Sequence, residues 1–213
     1  MVSQIAHNSQ TSMVEVKTGL SLYTVELGNP DGAPMLVLHG GWGPAENEEH
    51  RLDILSEEIR SKFRIIYFHQ RGWGRSKIEE VTGTDTFTGI DANIADCEVL
   101  RQHFGIDKWA VVYGGSNGAT LGLAYAAKYF GSTVSGLVLR GLWLIREQDL
   151  DHDYGDGKNG KGKYYPAQWR RFIGHVGYKT RADLERLKKS ENPGLELVNK
   201  YWELITGDNP EKS

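Results

Sequence analysis

Trp109-Ala110-Val111-Val112-Tyr113-Gly114-Gly115-Ser116-Asn117-Gly118-Ala119-Thr120-Leu121 passes from an apolar strand pattern, through glycines, into a helix pattern rich in alanine and leucine. The centre is a G-x-S-x-G string, Gly114 to Gly118. Alone it is a weak signal, since a glycine-rich strand-to-helix turn can hold an incidental serine. Its context makes it specific. A buried strand runs directly into it and a helix leaves it, the arrangement that holds a nucleophilic serine on a sharp bend. Glycines allow the tight turn and close backbone approach. The serine then projects at the carboxyl edge of a sheet, with a helix N-terminus aimed at the same place.

Working outward, the same alternation of strands and helices recurs. Met13–Lys17 and Leu20–Leu27 read as a hairpin, with Thr18-Gly19 at the turn. Pro34–His39, Phe63–Phe68, Trp109–Tyr113 and Gly136–Leu139 are short apolar runs of the kind that buried parallel strands show. Helical spacing joins Leu52, Leu55 and Ile59 in Asn47–Ser61. It also joins Ile90, Ile94, Cys97, Leu100 and Phe104 in Thr88–Phe104, and Leu121, Ala124 and Tyr125 in Asn117–Phe130. Strand followed by helix, repeated, predicts parallel strands with right-handed crossovers. Asp151–Gly162 is glycine-rich and polar, and reads as a mobile loop or linker. Pro166–Val176, Thr180–Lys189 and Pro193–Ile205 read as helices. No strand candidate follows Leu139.

Two further motifs stand at strand ends. His39-Gly40-Gly41-Trp42-Gly43-Pro44 follows the third strand, and its glycines free backbone N–H groups to face a developing oxyanion. The N–H groups of Gly41 and Asn117 are the expected pair. A dinucleotide loop fits poorly, because residue 46 is Glu where that pattern needs glycine. His69-Gln70-Arg71-Gly72-Trp73-Gly74-Arg75-Ser76 follows the fourth strand.

Leu38-His39-Gly40-Gly41, Gln70 to Ser76, Gly114 to Leu121 and Leu137-Val138-Leu139-Arg140-Gly141 together resemble the prolyl aminopeptidase (proline iminopeptidase) family of α/β-hydrolase serine peptidases. The resemblance covers residues 20 to 147, and more loosely extends to 205. It implies a mostly parallel α/β-hydrolase sheet of about six strands with the last two missing. It also implies release of an N-terminal residue, typically proline, from small peptides through an acyl-enzyme on Ser116. A hydrolase core over 1–147 and a linker with a partial helical cap over 148–213 follow. Trp202-Glu203 resembles the Trp-Glu pair of that cap, so Glu203 is a candidate for binding the substrate's free amine. The sequence departs from the family at His69, where Asp is usual, at Asn117, where Trp is frequent, and at Trp42-Gly43-Pro44. These mark a divergent member.

In that family Asp and His complete the triad after the cap and the last two strands, in the order Ser, Asp/Glu, His. Here the histidines after Ser116 are His152 and His175, and neither follows a strand. Both read as surface or packing residues, and His39 as a structural residue of its loop. A serine without a base is a weak nucleophile. The expectation is therefore a C-terminally truncated member, weakly active or inactive alone, with an exposed apolar edge at Gly136–Leu139 that invites self-association. An esterase or lactonase on small metabolites, or a catalytically dead interaction protein, are the alternative readings.

Composition sets the outer bounds. The 213 residues carry 25 Lys+Arg and 28 Asp+Glu, for a net charge of −3. Residues 1–150 hold 13 basic and 18 acidic side chains, whereas 151–213 hold 12 and 10. Neither half has the basic excess of a nucleic-acid binder. No apolar run approaches the roughly 20 residues of a membrane span, and no secretory signal stands at the start. One cysteine, Cys97, excludes an internal disulfide and a cysteine metal cluster. A cytoplasmic enzyme with no cofactor and no metal, acting on a small peptide or acyl substrate, is the resulting expectation.

Overall fold

The computed structural model describes residues 9–41, 55–78, 89–155, 157, 158 and 160–207. Met1–Leu142 and Trp143–Ser213 form two compact units.

The first unit is a mixed sheet. Strands β1 (Gln10–Lys17), β2 (Leu20–Gly28), β3 (Ala33–Leu38), β4 (Phe63–Phe68), β6 (Val111–Gly115) and β7 (Leu137–Arg140) lie in the order β1-β2-β4-β3-β6-β7. The two-residue strand β5 (Lys77–Ile78), which has no hydrophobic pattern to announce it, pairs with β2. The opening hairpin is antiparallel, with Val14 opposite Leu22, and β2 runs antiparallel to β4. The β3–β4, β3–β6 and β6–β7 pairs are parallel. Helices α1 (Glu57–Lys62), α2 (Ile90–His103) and α3 (Asn117–Tyr129) fall between these strands.

The apolar runs are continuous because both sheet faces are covered. Leu36, Leu38, Ile66, Phe68 and Val112 pack on one face with Ile94, Cys97 and Leu100 of α2 and Leu121, Tyr125 and Ala126 of α3. Met35, Val37, Ile65 and Tyr67 point to the other face with Leu55 and, partly buried, Ile59 of α1. Period-two alternation within each run therefore supplies two cores, not one buried and one wet face.

Several expectations shift in detail. The expected strand from Trp109 begins at Val111, and Trp109 makes only an isolated bridge to Val134. Of the helix expected over Asn47–Ser61, residues 47–54 lie outside the described residues, and α1 starts after a Ser56 cap. Thr88 is also outside, and α2 starts after Gly89. Trp42-Gly43-Pro44 lies outside as well.

The second unit is helical: α4 (Glu147–Tyr154), α5 (Gly160–Tyr164), α6 (Pro166–His175), α7 (Arg181–Leu187) and α8 (Pro193–Thr206). Its core is Trp169, Ile173, Tyr178, Leu187 and Leu197. Of the stretch read as a mobile loop or linker over Asp151–Gly162, residues 151–154 and 160–162 are instead helical among the described residues. Its polar residues have partners: the Asp151 carboxylate accepts the Gly194 N–H at 2.6 Å, and Lys161 lies 3.9 Å over the Tyr154 ring. Its glycines serve close approach, since a Cβ on Gly162 would stand 2.2 Å from the Gly157 Cα.

Candidate active site

Ser116 stands between β6 and α3 with φ 54° and ψ −123°, a left-handed angle that a side chain rarely tolerates. Hydrogen bonds on both sides hold it there. Its N–H donates to the Arg140 carbonyl at 2.9 Å, and its own carbonyl accepts from the N–H groups of Ala119 and Thr120. Its side chain does not cap the helix and is exposed. Among the described residues no imidazole or carboxylate hydrogen-bonds its Oγ.

The glycines of the motif mark where backbones touch. A Cβ on Gly114 would lie 2.2 Å from the Gly118 carbonyl oxygen, and one on Gly118 would lie 2.2 Å from the Leu38 oxygen. The spacing G-x-S-x-G is thus the spacing at which the bend folds on itself and presses against the end of β3. Gly40, on the facing loop, meets the Gly115 oxygen in the same way.

These contacts open a cleft of about 310 Å³ lined by His39, Gly40, Gly41, Tyr67, Tyr113, Gly115, Ser116 and Arg140, among others. Ser116 and Gly41 share it. Asn117 is the first residue of α3, and its N–H finds no acceptor among the described residues, as at any helix start without a cap. Tyr67 and Tyr113 form part of the wall because both are in register with Val37, on either side of β3. Only that register brings them together, so residue patterns within each strand give no sign of it. Arg140 is also a newcomer. Its carbonyl fixes Ser116, and its residue borders the cleft.

The loop after β4 braces the cleft from behind. Arg71 is buried and grips Asp96 of α2 with two hydrogen bonds, Nε–Oδ2 at 2.8 Å and an Nη–Oδ1 contact at 2.5 Å. Gln70 donates from its backbone N–H to Nε2 of His39, and from its side chain to the His39 carbonyl, each at 3.0 Å. His69 is fully buried, and its Nδ1 accepts the Arg75 N–H at 2.8 Å. Glu203 lies in the second unit, exposed on α8 beside Trp202. His152 on α4 and His175 at the end of α6 are both exposed.

A strained serine between a parallel strand and a helix, facing a glycine loop at the end of the neighbouring strand, defines a class. The chain belongs to the alpha/beta hydrolase fold family, whose sequence model matches residues 33–198. Within that class it is similar to proline iminopeptidases. It is 37% identical over 205 residues to the one from Xanthomonas citri, covering 93% of this chain and 61% of the relative. It is 35% identical over 183 residues to that of Neisseria meningitidis (86% and 54%), and 38% over 195 residues to that of Arabidopsis thaliana (90% and 44%). The chain thus spans about three fifths or less of the length of these relatives. Among solved structures, a proline iminopeptidase-related protein from Thermus thermophilus shares the fold, with a TM-score of 0.56 and 23% identity over 90% of this chain and 71% of that one. An esterase from a Rhodococcus species shares it with a TM-score of 0.52 and 22% identity over 87% and 70%.

Proposed function

We propose that this chain carries the nucleophile and oxyanion half of a serine hydrolase of the prolyl aminopeptidase type. Ser116 Oγ adds to the carbonyl carbon of the substrate's first residue, proline by preference. The carbonyl oxygen takes the negative charge and is stabilised by the N–H groups of Gly41 and Asn117. Collapse breaks the C–N bond, the departing amine leaves with the proton that the Ser116 hydroxyl gave up, and an acyl-Ser116 ester remains. Water then hydrolyses that ester and releases the amino acid. For the substrate's free α-amine, the family resemblance offers Glu203, on α8 of the second unit, as the candidate.

The observation that carries this reading is Ser116 at φ 54°, exposed in one cleft with Gly41. Backbone strain of this kind persists where its surroundings impose it, and it clusters at reacting side chains. A serine that no imidazole reaches among the described residues is a weak nucleophile, and slow acylation by this chain alone is part of the proposal.

Labelling with a fluorophosphonate, followed by mass spectrometry, tests the nucleophile. The expected result is slow modification confined to Ser116 and absent in Ser116→Ala. Parallel assays with proline-arylamide and aryl-ester substrates test the leaving group, and weak turnover of the arylamide is expected. A preference for the aryl ester, or turnover unaffected by Ser116→Ala, overturns the reading.

A further inference from the structure

The oxyanion role of Gly41 has a built-in weakness. Its N–H belongs to the planar Gly40–Gly41 peptide, and that plane can rotate by opposite changes of ψ at Gly40 and φ at Gly41. Both residues are glycines, with Gly41 at φ 89°. No side chain opposes such a flip, which would put a carbonyl oxygen where the N–H belongs. A hydrogen bond to the peptide itself can hold the plane.

His39 is placed to do so. Its ring is buried, with 6% of the residue exposed, and it borders the cleft. Its Nε2 faces the backbone N–H of Gln70 at 3.0 Å. A backbone N–H can only donate, so Nε2 must accept, and the ring's proton resides on Nδ1. Nδ1 in turn lies 3.4 Å from the Gly40 carbonyl oxygen. That carbonyl belongs to the same peptide as the Gly41 N–H. In a trans peptide the two point in opposite directions. Holding the oxygen toward the imidazole leaves the N–H on the other side. The Gln70 side chain completes the anchorage by donating to the His39 carbonyl, which fixes the preceding peptide plane.

We propose that His39 is a positioning residue that locks the Gly40–Gly41 peptide against flipping, with its tautomer set by the Gln70 backbone N–H. The lock deepens the reading given under Proposed function and rests on it for its catalytic consequence. Its structural content stands separately. The family motif supplies a histidine before the glycines; the relay from Gln70 through the two ring nitrogens to the Gly41 amide is what the geometry adds.

Imidazole nitrogen spectra of the ¹⁵N-histidine-labelled chain at neutral pH test the tautomer. A protonated Nδ1 and an accepting Nε2 on His39 are expected; the proton on Nε2 overturns the lock. The Gly41 amide resonance tests the consequence. His39→Ala is expected to shift or broaden it, whereas His39→Asn, whose amide N–H can replace the Nδ1 donor, keeps it near the wild-type position. An unmoved Gly41 resonance in His39→Ala overturns the proposal. If His39→Ala does not fold, the wild-type tautomer and the His39→Asn resonance still decide.

Fluorophosphonate labelling adds the functional arm. His39→Ala is expected to slow modification of Ser116 about tenfold, less than the roughly 10²–10³ that loss of a whole oxyanion donor brings, with His39→Asn within about threefold of wild type. Equal labelling of His39→Ala and wild type overturns the catalytic consequence. A wild-type chain that labels no faster than Ser116→Ala sinks the hydrolase reading instead, and the spectra alone then decide the lock.

Discussion

Ser116 holds its backbone where glycine would sit more easily, and the strain is of order 1–3 kcal/mol. Its N–H bond to Arg140 and the two bonds to its carbonyl keep it in place. Replacing it with glycine keeps those bonds and removes the steric penalty. Ser116→Gly is therefore expected to raise stability by about 1 kcal/mol, or about 2–4 °C in Tm for a chain of this size, while abolishing labelling. Thermal unfolding beside Ser116→Ala measures it, since alanine retains the strain. Gly118 behaves oppositely. A methyl there would meet the Leu38 and His39 carbonyl oxygens at 2.2 and 2.6 Å, both backbone atoms that cannot yield cheaply. The serine and its flanking glycines were legible in the chain because such a bend needs these residue types at this spacing.

Between elements, two polar groupings, one buried and one partly buried, tie the helices to their surroundings. The Arg71–Asp96 pair joins the loop after β4 to α2, with side chains 10% and 2% exposed. Removing one partner strands the other charge in the interior. Asp96→Ala is expected to destabilise the fold by about 3–5 kcal/mol in urea unfolding. Glu98 of α2 anchors the second grouping. It accepts from Arg101, from Thr133 at 3.1 Å and from the Tyr125 hydroxyl of α3, which also receives the Trp109 indole N–H at 3.2 Å. Burial alone would raise the Glu98 pKa, but these hydrogen bonds outweigh it and hold the carboxyl below its ordinary value. Its contribution is fully present above the unfolded carboxylate pKa, about 4.3. It is lost as pH falls through the lower folded value. Stability measured from pH 7 down to 3 is expected to fall more steeply in wild type than in Tyr125→Phe, which lacks one of the donors. Neither grouping was legible beforehand. Arg71 meets Asp96 25 residues on, and Glu98 meets Tyr125 and Thr133 27 and 35 residues on, separations that leave no local pattern.

For the whole molecule, β7 ends the sheet, paired only with β6 among the described residues. Val138 on that strand is 51% exposed and borders an apolar groove of about 240 Å³ with Met35, Phe63, Val111 and Tyr113. A strand edge unpaired among the described residues, with an exposed apolar side chain on it, favours pairing with another chain. Self-association through this edge is our proposal for the isolated chain. Light scattering is expected to show concentration-dependent association that Val138→Lys reduces, and equal association in both would remove the edge from the account.

The strands, the order of strand and helix, the bend at Ser116 and the hydrolase class were decided by the sequence itself. Apolar periodicity and glycine spacing act over a few residues and leave local marks. The polar stretch over 151–162 misled for the same reason: composition reports solvation preference, whereas Asp151 and Lys161 found partners only once the helices had packed. The tertiary structure alone decided which strand ends meet around Ser116, that Tyr67 and Tyr113 flank Val37, and that His39 stands between Gln70 and the Gly40 carbonyl. Those relations depend on register and on contacts between distant segments, which no local pattern encodes.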